Sequence, residues 1–464
     1  MHTGIGHYLP LVAYLGFWVM TIISLVKRPL YGFYYLLPFI PYRTLRDHFL
    51  IYPLGANMLT ILVVAVILGA IYQGKRLPKS NLYGVWLIFA IYLYLSMWLG
   101  VLLSGAPAPL WLNDVNFVTW KDYIMIPLIF VAAGLVIEDR KSIKTTILIV
   151  ALALALIDRA ALLESMARSW ASFDENKRDP GPLSYGANQT SAFLVQFAMF
   201  FWGFTKIIKR VKLKLIGYGL VAVTLFASLY TFSRAGYIAT LFAMLVFGVV
   251  KDRKLLLVLG IFLFTWQTVL PTAVRERVKM TTSDSGQLDA SAQERVSLWE
   301  NAEQAFFRSP LVGMGYATFQ LGSHVDNLKD THNWYVKVLV ETGIVGIVIV
   351  LILLQRMIAT SYRLYRTSTD QLYRGLGLGL LLATSACIIT NCFGDRWTYL
   401  EITGLLWALF AAATRALELP SEDSAAPAAK RAAHRNPYLA VRLPAVKAGA
   451  NVETGITGLK TKHD

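Results

Sequence analysis

The chain has 464 residues, 56% hydrophobic and 16% charged, with a net charge of +16 and a mean hydropathy of +0.52. Soluble domains carry roughly 25% charged residues, so a soluble globular fold is excluded. The positive charge calls for no nucleic acid, because most basic residues fall in short connections and the C-terminal tail, as the positive-inside bias expects.

Apolar runs of about 17 to 23 residues recur, enough to cross a hydrocarbon core of roughly 30 Å. A β-barrel would show alternating segments of about ten residues instead. The expected fold class is all-α, a polytopic transmembrane bundle with spans near residues 8–26, 30–41, 53–72, 81–103, 118–137, 144–163, 187–205, 213–231, 234–250, 254–270, 334–355, 376–392 and 397–415. The first run lacks a basic start and a small-residue cleavage site and reads as a retained span. The second is short and carries Pro38 and Pro41, which suits a tilted or re-entrant piece. Charge makes it cross, because Lys27-Arg28 and Lys75-Arg76 belong on the same side. Arg140-Lys141, Lys206 to Lys214, Lys251 to Lys254 and Arg356 to Arg374 then share that cytoplasmic side. Cys387 and Cys392, five apart on one span, point about 140° away from each other, which excludes a framework disulfide and suits small apolar packing.

The longest polar interruption is 271–333, which the alternation places outside, in the periplasm. Ser291-Ala-Gln-Glu294 is a capping box that starts a helix there. Val296, Trp299 and Phe306 fall near one face of it, Arg295 stands one turn before Trp299, and Ser309-Pro310 ends it. Residues 1–420 thus form one bundle that includes this segment. From 421 to 464 the chain is Ala-, Pro- and Lys/Arg-rich and reads as a disordered basic cytoplasmic tail.

Arginines near a membrane boundary are costly unless they face a polar cavity. Arg234, Arg159 and Arg396 stand at outer ends of spans, and Arg295 and Arg178 reach the same side from loops. Each taken alone suits a snorkelling or ion-paired arginine, with Asp158 and Asp395 adjacent to two of them. Together they suit an anion cavity, since guanidinium forks match phosphate oxygens. No metal motif is visible, neither His-x-x-x-His, Cys-x-x-Cys nor Asp-x-Asp. No cofactor is expected: Gly74-Lys75 lacks a phosphate-loop context, and no Gly-x-Ser-x-Gly elbow is present. His332 opens the span after the long segment, with Asp330 or Thr331 as its cap. Two readings are open, a neutral imidazole that accepts a proton from a hydroxyl and an interfacial histidine bonded to a backbone carbonyl. His48 and His324 are weaker versions of the same case.

Several of these residues occur in an order that resembles the O-antigen ligase and O-antigen polymerase family of bacterial envelope glycosyltransferases. The resemblance rests on Ser233-Arg234-Ala-Gly, Glu294-Arg295 with Trp299, Ser309-Pro-Leu-Val-Gly313-Met-Gly315, His332-Asn333 and Glu341-Thr-Gly343-Ile-Val-Gly346. It departs at Gly186-Ala187-Asn188-Gln189, where many members look more like Asn-Pro-Asn, and the first five spans resemble the family only in hydropathy. The resemblance implies metal-independent transfer at the outer face of the inner membrane, from an undecaprenyl-diphosphate-linked glycan to a hydroxyl of an acceptor glycan or lipid. His332 and Arg234 would then be catalytic, with Arg234, Arg295, Arg396, Arg159 and Arg178 on the diphosphate. The rival classes are a transporter for an anion or lipid-linked sugar, and a structural subunit that uses the long segment for docking.

Overall fold

The computed structural model describes residues 8–110, 114–166, 173, 183, 186–280, 290–321 and 331–420. These residues are α-helical, with no strand among them. In chain order the helices are α1 (Leu9–Val26), α2 (Pro29–Leu36), α3 (Arg43–Asp47), α4 (Met58–Tyr72), α5 (Asn81–Ser104), α6 (Val115–Val136), α7 (Arg140–Met166), α8 (Ala187–Ile207) and α9 (Val211–Leu229). They continue as α10 (Arg234–Val250), α11 (Lys254–Val269), α12 (Thr272–Lys279), α13 (Ala290–Arg308), α14 (Thr318–Leu321), α15 (Trp334–Thr367), α16 (Gln371–Asn391) and α17 (Leu400–Ala416). Every expected span has its helix. Eight helices among the described residues are long and apolar enough to cross a membrane, or nine if α11 and α12, bent by 106°, count as one broken span. The chain is therefore a polytopic α-helical membrane protein.

Contacts between connections sort the bundle into two ends. At one end Lys75 pairs with Glu138 (2.5 Å) and Arg140 with Asp370 (2.6 Å). There Gln73 donates to the Lys27 carbonyl, and Arg415 donates to the carbonyls of Arg76, Gly134 and Ile137. These basic connections therefore share one end of the bundle. At the opposite end Tyr14 bonds the Pro53 carbonyl, Arg46 pairs with Glu401, and Trp334 stacks on Trp397. The short α2, extended by a 3₁₀ turn at Leu37–Phe39, bridges much of the depth between them. Tyr34 reaches the Ser142 carbonyl and Tyr42 the Leu156 carbonyl, points about 21 Å apart along α7.

Glycine lets the central helices close. Gly203 of α8 and Gly379 of α16 leave so little room that a Cβ on Gly203 would lie 3.0 Å from the Gly379 backbone, the small-residue contact that membrane helices use in place of a hydrophobic drive. Beside them Trp86, Tyr123, Trp334, Trp397, Trp407 and Phe130 form a connected aromatic cluster. Such pairs contribute about 0.5–1.5 kcal/mol each beyond burial.

Helix α15 is broken at Gly343 (φ 65°, ψ −167°). A break inside a span strands backbone groups, which must find partners where water is scarce. The loop 309–315 supplies them. Met314 and Gly315 donate to the carbonyls of Val340 and Glu341 (both 2.9 Å), while Ile344 and Val345 donate to those of Pro310 and Leu311 (2.9 and 3.1 Å). One stripe of α5 completes the joint. Tyr92 donates to the Thr342 carbonyl (2.7 Å), Ser96 to that of Glu341 (3.1 Å) and Ser104 to that of Met314 (2.9 Å). Gly100 of the same stripe lies against Gly315.

Two local expectations, the cap and the end of α15, are corrected, and the buried face of α13 is now defined. The cap of α15 is Asn333, whose Oδ1 accepts from the amides of Tyr335 and Val336 (3.0 and 3.4 Å), rather than Asp330 or Thr331; Asp330 lies outside the described residues. The buried face of α13 is Leu298, Ala302 and Ala305, while Val296 and Trp299 are exposed. Helix α15 also runs to Thr367, three turns past the expected end, because Arg356, Arg363 and Arg366 carry it beyond the apolar run. The side chains of Ser291 and Glu294, and the tail from 421, lie outside what is described.

Candidate functional site

At the end opposite the basic connections, the start of α15 is the focus. His332 precedes the cap Asn333 in the left-handed conformation (φ 50°) and is half-buried. Such a backbone is uncommon for a residue with a side chain and persists where its surroundings over-determine it. Both flanks are held. Trp299 of α13 donates its Nε1 to the Thr331 carbonyl (2.8 Å), and Thr331 Oγ1 donates to the Asn333 carbonyl (2.6 Å). The long segment thus fastens directly onto the residue before His332.

The next turn of α15 is tied to the connection between α16 and α17. Trp334 stacks on Trp397 at 4.7 Å, Tyr335 Oη donates to the Ile388 carbonyl (2.9 Å), and Lys337 Nζ meets Asp395 Oδ2 at 3.1 Å. Arg396 is buried in that connection. Its amide donates to Asn391 Oδ1 (3.0 Å), its Nη1 donates to the Asp395 carbonyl (3.1 Å), and its guanidinium lies on Gly394, where a Cβ would come within 2.7 Å of Nη2. Glycine at 394 (φ 145°) is what lets the arginine fold back.

Arg234 opens α10, half-buried, behind Ser233, whose buried Oγ has no hydrogen-bond partner among the described residues. The turn before it contains Phe232 at φ 52°. This turn is braced by Arg277 of α12, which is 7% exposed, donates from Nε to the Phe232 carbonyl (3.4 Å) and lies 4.9 Å over the Phe173 ring. Lys251, just past the end of α10, and Arg374, in the first turn of α16, lie over the same Tyr365 ring. The two packed helices are therefore antiparallel, and Arg234 shares its end of the bundle with Asn391 and Arg396.

The same end of the bundle thus holds Arg234, His332, Arg396 and, through Trp299 one turn on, Arg295. Arg159 is exposed on α7, and no described contact joins it to this group. Arg178 and His324 lie outside the described residues. His48 is exposed, with Nδ1 2.7 Å from the Thr44 carbonyl, which is the structural reading of that histidine. The aspartates beside the candidate arginines have their own partners. Asp158 accepts from Thr224 Oγ1 (2.6 Å), and the Asp395 carboxylate accepts from Lys337, Thr398 and the amides of Trp397 and Thr398.

Five charged residues here were not nominated from the sequence as site residues: Arg277, Arg46 and its partner Glu401, Lys337, and Glu341, which entered only as part of a family-like motif. Lys337 and Glu341 left a usable signal, two charges at one-turn spacing inside an apolar span. Arg277 left none, being one charge among many in a polar stretch. Lys337 and Glu341 line a small cavity of about 10 Å³, room for about one water, with Tyr123, Tyr316 and Thr398. Burial pushes the Tyr316 phenol well above its ordinary range, so it stays protonated. Among the described residues no three His, Cys, Asp or Glu side chains stand together as metal ligands would.

A broken-helix bundle with arginines and one histidine gathered at a single end is the class the architecture defines. Residues 219–351 match the family model described as O-Antigen ligase. No curated protein matches the chain. The matched region runs from α9 to the middle of α15 and holds Arg234, Arg277, Arg295, His332 and both halves of the Gly343 joint, and it supports membership of the O-antigen ligase and polymerase family.

Proposed function

We propose that the protein transfers a glycan from an undecaprenyl-diphosphate-linked donor to an acceptor hydroxyl, without a metal, at the periplasmic face of the bacterial inner membrane. The observation that carries this reading is the attachment of the long segment beside His332, at the same end of the bundle as Arg234 and Arg396. Arg234, with the first-turn amides of α10, receives the diphosphate; Arg295 and Arg396 assist, and Arg277 keeps the turn in place. Fixed guanidinium groups stabilise the negative charge that grows on the leaving diphosphate without having to reorganise. His332 takes the proton of the attacking hydroxyl as the new glycosidic bond forms and the bond to the lipid diphosphate breaks.

A transporter would need a site near mid-depth between inverted repeats. Here the candidate cations cluster at one end. The test is turnover by the purified protein with an undecaprenyl-diphosphate-linked glycan, in chelator and in magnesium, scored for chain extension against single transfer. Equal rates in both support the proposal, and a strict magnesium requirement overturns its account of the diphosphate. Labelling of a cysteine at position 285 from the cytoplasmic side alone would overturn the orientation.

A further inference from the structure

Lys337 lies within an apolar helix, where an ammonium is retained only with a partner or a polar cavity. Its side chain is 13% exposed, and its partner Asp395 is 3% exposed. Asp395 is a hub. Its Oδ1 accepts from the amides of Trp397 and Thr398 (both 3.1 Å), its Oδ2 accepts from Lys337 Nζ and Thr398 Oγ1 (3.1 and 2.7 Å), and its carbonyl accepts from Arg396 Nη1 (3.1 Å). One rigid residue therefore holds Lys337 on one side and Arg396 on the other. On α15, His332 stands directly before the cap Asn333 and Lys337 at the fourth helical position after it, so both belong to one helix start. Glu341, one turn further along, lines the same cavity as Lys337.

We infer that Lys337 and Asp395 are positioning residues whose ion pair fixes His332 of α15 against Arg396 of the connection between α16 and α17, setting the acceptor-activating group at a defined place relative to the anion site. The inference rests on the roles given above to His332 and Arg396. A buried pair serves this purpose because breaking one partner leaves the other charge without compensation and forces the two segments apart. A misplacement of about 1 Å in a site that works by orientation costs roughly 10²-fold in rate.

The experiment compares Lys337→Met, Asp395→Asn, the double variant Lys337→Met/Asp395→Asn, Lys337→Arg and His332→Ala. Initial rates over a range of donor are measured in membranes from the producing cells at matched protein levels, and undecaprenyl diphosphate is the binding probe for the purified proteins. The expected result is a roughly 10²-fold lower kcat in each single neutral variant. KM and probe binding stay within about twofold, and Lys337→Arg recovers most of the rate. The double variant is no slower than the slower single, because the two substitutions remove one interaction. If a single variant does not accumulate, the double, which removes both charges of the pair together, carries the test with the same expected loss. Wild-type kcat in Lys337→Met or in the double variant, additive losses, or probe binding lost in parallel with rate overturns the inference. Full activity in His332→Ala instead sinks the catalytic reading beneath it, so the two failures are distinguishable.

Discussion

Two regions within the matched stretch carry most of the family-like residues, and they do different work. The joint between 309–315 and Gly343 is backbone architecture: its glycines allow positive φ and close approach, and its hydrogen bonds satisfy a broken span. The corner around His332 is side-chain chemistry, half-buried and charged. A dense motif therefore marks where the backbone is unusual, while the groups proposed to react stand elsewhere, at the start of the same helix.

The sharpest way to break this contrast is Gly343→Ala. At φ 65°, with a Cβ that would overlap the Leu311 carbonyl, the substitution should cost about 3 kcal/mol or more and lower the amount of inserted protein. Thermal unfolding in detergent checks it; a stable, active Gly343→Ala protein would show that the joint is not structural.

The corner should respond in the opposite sense. His332→Gly relieves a left-handed residue and should be more stable than His332→Ala by about 1 kcal/mol. Both should lose roughly 10²–10⁴ in transfer rate. Stability and activity thus part at this position, and a parallel fall of both in His332→Gly would count against its role in the chemistry.

A smaller effect is expected where the two regions meet the long segment. Trp299→Phe keeps the ring and removes the donor to the Thr331 carbonyl, a loss of about 0.5–1.5 kcal/mol. Protease sensitivity of the long segment would report the loosening, and unchanged protection would mean that Trp299 does not fasten it.

The helices were legible because membrane spans are written in hydropathy, which needs no tertiary context. Their interruptions were less so. Gly343 sits inside a single expected span, and nothing in composition announces that 309–315 fits into it; the cue is the pairing of two glycine motifs nearly thirty residues apart. His332, Arg234 and Arg396 could be nominated from position, because each stands at the outer end of a span. Their mutual placement could not, because it depends on the antiparallel fit of α10 and α16 and on the Trp334 and Trp397 stack. Arg159 was nominated by the same positional rule, yet its side chain is exposed on α7. Position along a span fixes depth, not the face of the helix. Lys337 was passed over for the converse reason: its span is apolar enough on average to draw attention away from a charge, although Glu341 one turn on repeats the signal.

The central claim is that Arg234 serves the diphosphate and His332 serves the acceptor. The most direct measurement is binding of undecaprenyl diphosphate by purified Arg234→Lys and His332→Ala proteins, set beside their transfer rates. Arg234→Lys should lose binding and roughly 10²–10³ in rate almost as fully as Arg234→Ala, because an ammonium lacks the planar fork. His332→Ala should bind the lipid diphosphate as the unsubstituted protein does and fail to transfer. Equal loss of binding in both would place His332 in the diphosphate site, and full transfer by His332→Ala would return it to the role of an interfacial histidine, contradicting the account.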